Sequence, residues 1–162
     1  MPFATIHGVR LETRTIPGPA GKPWLVMLHE GLGSVSLWRE FPDTLARRLA
    51  MPALVYSRRG YGKSDGLPGP RERDYHQEEA LQVLPALLAH FGIERSLLVG
   101  HSDGASIAIV YAAYHPASTL GAVLMAPHVF VEDFGLAGVA RIAEVYETTD
   151  LRDRLARHHT HV

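Results

Sequence analysis

Residues 100–104 read Gly-His-Ser-Asp-Gly, between the apolar run 96–99 and a helical pattern at 105–114. A serine two positions from a glycine on either side, on a turn from a buried strand into a helix, leaves the chain few folds to choose from. The turn holds Ser102 in a strained backbone conformation and brings strand and helix so close that positions 100 and 104 must lack side chains. Ser102 then stands exposed at a helix N-terminus, where the amide of Asp103 can donate to a developing oxyanion.

The flanking sequence alternates between strand and helix patterns. Residues 3–7 and 9–15 read as a hairpin through Gly8, followed by a Gly- and Pro-rich loop at 17–23. Short apolar runs at 24–28, 53–56, 96–99 and 121–125, bounded by turn residues, read as buried strands. From Ser36, an expected N-cap, the residues Leu37, Phe41, Leu45 and Leu49 recur every fourth position as the stripe of an amphipathic helix, with Pro42 near its start or bending it. Leu81, Leu84, Leu87, Leu88 and Phe91 form a second stripe, ending at Gly92 as a C-cap. Residues 134–159 read as mostly helical. Buried strands alternating with helices call for an α/β fold, a mostly parallel sheet with helices on both faces.

A chain of 162 residues suits one domain with a real core. Its formal net charge of -1 gives no reason to expect nucleic acid or an anionic membrane as partner, and the lack of cysteine excludes disulfides and thiolate metal sites. The N-terminus has no apolar segment of the signal-peptide kind, and no apolar run approaches the ~20 residues that span a bilayer, so a cytoplasmic location is expected. His158, His159 and His161 cluster at the tail. Adjacent histidines on a helix point in different directions, which predicts a solvated helix end rather than a metal site.

The segment Gly-Tyr-Gly-Lys-Ser at 60–64 suggests a phosphate loop, but the first glycine of that motif would fall on Ser57, and no long helix starts after Ser64. The loop more naturally braces a strand end, with Arg59 bonded to backbone carbonyls. His128 follows the 121–125 run through Ala126 and Pro127, at the carboxyl edge of the sheet where open α/β sheets bind ligands. It reads equally as a pocket residue, beside Val129, Phe130, Glu132 and Asp133, and as a hydrogen-bonded loop histidine. His101 is expected to point away from the pocket or to brace the turn.

Leu-His-Glu-Gly-Leu-Gly-Ser at 28–34, Ser-Arg-Arg-Gly-Tyr-Gly-Lys-Ser-Asp at 57–65 and Gly-His-Ser-Asp-Gly at 100–104 occur in one order along the chain. In that order they resemble the serine-nucleophile branch of the α/β-hydrolase superfamily, and they cover nearly the whole chain. The resemblance implies Ser102 as catalytic nucleophile and the amide of Asp103 as one oxyanion donor. A second donor comes from Gly31 or Leu32, a choice left open by the extra residue Glu30. His29, Glu30, His128, Val129 and Phe130 are the candidate lining of the substrate pocket. No metal or organic cofactor is implied. A serine here also excludes the branch that uses aspartate, the dehalogenases and epoxide hydrolases.

In the family an acid and a histidine follow two later strands. Residues 1–133 are accordingly expected to form an incomplete core and residues 134–162 the start of a helical lid. Three readings stand beside one another. A second polypeptide or C-terminal fragment completes the sheet and supplies the acid and histidine. Alternatively, His128 with Asp133 or Glu132 substitutes for them. In the third, the chain is a non-catalytic assembly domain. The expected substrate is a small ester, thioester or related carbonyl compound, with carbon-carbon bond hydrolysis or lyase chemistry as an alternative on the same elbow.

Overall fold

The computed structural model describes residues 3–130 and 133–161. Its strands are β1 (Phe3–Ile6), β2 (Val9–Ile16), β3 (Trp24–Leu28), β4 (Ala53–Tyr56), β5 (Ser96–His101) and β6 (Thr119–Met125), in the sheet order β1-β2-β4-β3-β5-β6. The β1–β2 hairpin turns on His7 and Gly8, both at positive φ, as a two-residue hairpin loop requires. β2 also pairs antiparallel with β4, while β3–β4, β3–β5 and β5–β6 are parallel.

The middle strands are apolar at every position because both sheet faces are covered. Val26, Leu28, Leu54 and Tyr56 point into one core against Leu84, Leu87, Ile107 and Ala108. Leu25, Met27, Ala53 and Val55 point into the other, against Ala46 of α1 (Phe41–Leu49). The first face carries α2 (Tyr75–Glu78), α3 (Leu84–His90) and α4 (Asp103–Tyr114). A π-helical turn, Glu79–Val83, joins α2 to α3. It turns Glu79 inward, where the carboxylate accepts a hydrogen bond of 2.7 Å from the Tyr56 hydroxyl. Burial pushes the Glu79 carboxyl above its usual range, against the opposing pull of the Arg58 charge and the Tyr56 hydrogen bond.

Two expectations about packing need correction. Ser36 caps no α-helix: it opens a 3-10 turn, Ser36–Trp38, the chain then passes through Arg39 at positive φ, and α1 starts at Phe41 with Pro42 in its first turn. Pro42 and Ala46 are buried and Leu45 packs partly buried against the same core, while Phe41 and Leu49 are exposed. Leu37 lies in the 3-10 turn, and Arg39 at positive φ parts it from α1, so the four residues do not form one helical stripe. The 121–125 run does form a strand, extended to Thr119, but it is not buried. β6 is an edge strand paired only with β5, and Leu120, Val123 and Leu124 are exposed on it.

Beyond β6, α5 (Asp133–Thr148) and α6 (Leu151–Leu155) form a helical pair, with Leu136, Val139 and Ile142 of α5 exposed. Among the described residues no helix is long and apolar enough to cross a membrane.

Candidate active site

The turn between β5 and α4 has the geometry its sequence requires. Ser102 sits at φ 52°, ψ -116°, a conformation that costs a non-glycine residue about 1–3 kcal/mol. Its flanking glycines are obligatory. A Cβ on Gly104 would lie 2.0 Å from the Leu28 carbonyl oxygen, and one on Gly100 would lie 2.4 Å from the Gly104 carbonyl oxygen. The Ser102 amide donates to the Met125 carbonyl at the end of β6 (2.8 Å), and its own carbonyl accepts from the amides of Ala105 and Ser106. Asp103 is the first residue of α4, so its amide belongs to the set of helix N-terminal donors without an intrahelical acceptor.

The Ser102 hydroxyl lies 2.9 Å from Nε2 of His128. The residue is placed there by the loop after β6, which turns at Ala126 (φ 50°). His128, Val129 and Phe130 are all exposed. Glu132 lies outside the described residues, and the exposed Asp133 makes no contact with the His128 ring. Among the described residues no carboxylate is placed against that ring.

Facing the elbow is the loop after β3. Its turn is closed by the Gly33 amide donating to the Glu30 carbonyl (3.0 Å), with Gly31 and Leu32 as the central residues. Gly31 packs over Asp103: a Cβ there would lie 3.3 Å from Asp Oδ2. His29 does not line a pocket. It is fully buried, its Nε2 accepts the Arg58 amide (3.0 Å) and its Nδ1 donates to the Glu30 carbonyl (2.7 Å). Burial first, then the Arg58 charge, holds this imidazole neutral, well below its usual range. The Glu30 carboxylate approaches His101 Nδ1 at 3.6 Å, so His101 braces the loop against the end of β5.

The guanidinium holding this site together is Arg58, not the neighbouring Arg59 expected to brace the strand end. Arg59 bonds one carbonyl, that of Gly66 (2.9 Å). Arg58 is buried, donates to the carbonyls of His29 and Glu30, and stands 3.4 Å from Asp103 Oδ2. The same carboxylate accepts from the Tyr75 hydroxyl (2.9 Å) and faces His76 Nε2 at 3.5 Å. Burial pushes the Asp103 carboxyl up, but His76, Arg58 and Tyr75 together more than offset it and hold it down at about 2. Tyr75 is correspondingly pushed up, by burial and by that carboxylate.

The tail also departs from expectation. His159 is buried, not solvated: its Nδ1 accepts the Gly62 amide and its Nε2 donates to the Leu32 carbonyl, each at 3.0 Å. The Thr160 amide donates to the Gly62 carbonyl (2.8 Å), and His158 Nδ1 lies 2.9 Å from the Ser36 hydroxyl. The histidines therefore bridge the loops at 29–36 and 57–66. A helix-based expectation fails because α6 ends at Leu155 and the residues after it follow those loops. Among the described residues no group of His, Asp and Glu is arranged to hold a metal ion. Ser57 makes a further bridge, accepting from the Val35 amide (2.9 Å) and donating to Glu12 (2.7 Å). Ser57, directly after the apolar run 53–56, and Glu12, in the middle of β2, carry no sequence signal for this contact.

Strand order, a serine at positive φ between obligatory glycines, and a facing glycine turn define the α/β-hydrolase core and its elbow. A family model described as alpha/beta hydrolase fold matches residues 23–161, and the chain belongs to that family. It is 33% identical over 117 residues to a proline iminopeptidase of Lactobacillus helveticus, covering 72% of this chain and 38% of the relative. It is 32% identical to the 2-succinyl-6-hydroxy-2,4-cyclohexadiene-1-carboxylate synthase of Enterobacter sp. (strain 638), covering 76% of this chain and 45% of that protein. Among solved structures, a hydrolase from Pseudomonas aeruginosa PA01 superposes with a TM-score of 0.72 at 25% identity, covering 94% of this chain and 55% of the other. The chain thus spans less than half the length of these curated relatives.

Proposed function

We propose that the chain carries the nucleophile and oxyanion site of a serine hydrolase acting on a small ester, thioester or related carbonyl compound. The observation that supports this most is the backbone of Ser102: a strained, positive-φ serine is retained only where the surroundings impose it, and here it directly follows the carboxyl end of β5. Oγ attacks the carbonyl carbon. The amide of Asp103 and one amide of the Gly31–Leu32 turn receive the oxyanion, a donor of this kind being worth about 2.7–4 kcal/mol of barrier. The relatives include a peptidase and a synthase, and of the carbonyl compounds the ester class asks least of the site.

A second reading, a non-catalytic domain that assembles through its sheet, is favoured by the uncovered edge of β6, where a second polypeptide completing the sheet would add. A fluorophosphonate probe separates the two. Stoichiometric mass addition at Ser102 of the native chain, absent in Ser102→Ala, is the expected result. A native chain that stays unlabelled removes the hydrolase reading and leaves the assembly domain.

A further inference from the structure

We propose a second ligand site in this chain: a cavity between the β1–β2 hairpin and the π-helical turn that takes a small organic cation, an ammonium or amidinium head on an apolar body.

The cavity measures about 510 Å³, within the range of small-molecule sites. Ile6, Val9 and Leu11 of the hairpin line one side, and Tyr75, Glu79 and Val83 line the other. His7 ties the two sides together, its Nε2 donating to the Gln82 carbonyl (3.3 Å). Residues 67–70 form an exposed rim, so the cavity opens to solvent. Neither Ser102 nor the loop at 29–34 lines it.

The helical side supplies the chemistry. Pro85, in the first turn of α3, has no amide to donate, and the Leu84 amide reaches back five residues to the Glu79 carbonyl. The wider turn carries Glu79 inward, and turns of this kind are frequent at functional sites. Glu79 is only 6% exposed. Its Oε1 accepts from the Tyr56 hydroxyl, while Oε2 accepts no hydrogen bond among the described residues. A carboxylate offers about four lone-pair sites, so this buried one is short of donors. Its raised titration says the same, since burial outweighs the Arg58 and Arg71 charges and the Tyr56 bond together.

The sign of the ligand follows from how the other lining charges are engaged. Arg59 Nε donates to the Gly66 carbonyl (2.9 Å), and Arg71 donates to the Arg59 carbonyl (2.6 Å). The Arg71 guanidinium also lies over the rings of Tyr61 and Tyr75, at 4.8 and 5.2 Å. Both cations are thus committed to the chain itself. Glu72 and Glu78 line the cavity beside Glu79, and among the described residues none of these carboxylates is in an ion pair. A cation meets unpaired carboxylates here and rests its body on the hairpin; an anion meets like charges.

Benzamidine, benzamide and benzoate share one shape and differ in charge. Each is titrated to about 10 mM into the 162-residue chain while its methyl resonances are followed. Benzamidine is expected to shift the methyls of Ile6, Val9, Leu11 and Val83 saturably. Benzamide and benzoate should bind at least about tenfold more weakly, the worth of one charge-assisted hydrogen bond. Glu79→Gln keeps an acceptor for Tyr56 and removes the charge, so it should weaken benzamidine by about the same factor. The comparison of the three probes in the wild type decides the matter even where that variant fails to fold. Benzoate binding as tightly as benzamidine would overturn the proposal, as would benzamidine leaving these methyls unmoved or shifting only residues around Ser102. Unchanged benzamidine affinity in a folded Glu79→Gln would overturn it too.

Discussion

The turn at 100–104 takes its shape from its own residues, whereas the facing loop at 29–34 takes its shape from side chains that arrive from distant parts of the chain. At the elbow, backbone packs on backbone: Gly100 against Gly104, and Gly104 against the Leu28 carbonyl. At the loop, Arg58 holds the carbonyls of His29 and Glu30, Ser57 holds the amide of Val35, and His159 holds the carbonyl of Leu32. The elbow is therefore rigid by local sterics, and the facing loop is only as firm as its tethers.

The comparison breaks first at Gly104. Gly104→Ala puts a methyl group 2.0 Å from a carbonyl oxygen that has no freedom to move, so a loss of more than about 3 kcal/mol is expected in urea denaturation. Gly69→Ala, where a Cβ meets nothing within 4 Å, should stay within about 0.5 kcal/mol. Equal effects would mean that the elbow is not held by sterics.

Next in size is Arg58→Met. Removing this buried cation leaves the Asp103 carboxylate and two carbonyls short of a partner, with an expected loss of about 3–5 kcal/mol. The pH dependence carries the same information. Asp103 is held at about 2 in the folded chain against an ordinary 3.8, so the unfolded chain binds the more protons between these values. Its contribution is present above about pH 4 and is lost as pH falls toward about 2. Arg58→Met should reduce that acid-limb slope; an unchanged slope would show that Tyr75 and His76 hold the carboxylate alone.

The smallest effect belongs to the tail. His159→Ala removes hydrogen bonds to Gly62 and Leu32, for about 1–2 kcal/mol. Burial lowers the folded-state titration of this ring below 6.5, so its contribution is complete above that pH and fades as the pH falls through the lowered value. The gap between wild type and variant should narrow from about pH 8 to about pH 5. A gap that widens would mean that the ring binds these loops in its charged form.

The same contrast explains what the sequence made legible. The elbow, the β1–β2 hairpin and the strands β3, β4 and β5 are encoded by neighbours in sequence, through glycine placement and runs of apolar residues. α1 departs from its pattern because a 3-10 turn and Arg39 at positive φ part Leu37 from it, and Pro42 and Ala46 face the sheet beside Leu45. β6 misled because apolar composition reports a strand's preference for burial and not the neighbours available to bury it. Arg58 and His159 are not legible as site residues, since each acts on a segment far away in sequence through backbone atoms that carry no residue signature.

The backbone of Ser102 also selects among amino acids before any chemistry does. At φ 52° and ψ -116° a side chain branched at Cβ collides with its own main chain, while one with a CH2 at that position does not. Threonine is therefore closed to this turn, although its hydroxyl has nearly the reactivity of serine's. Serine, cysteine and aspartate remain admissible. The turn thus admits a hydroxyl, a thiol or a carboxylate at the same place by a single replacement, with no change in its backbone.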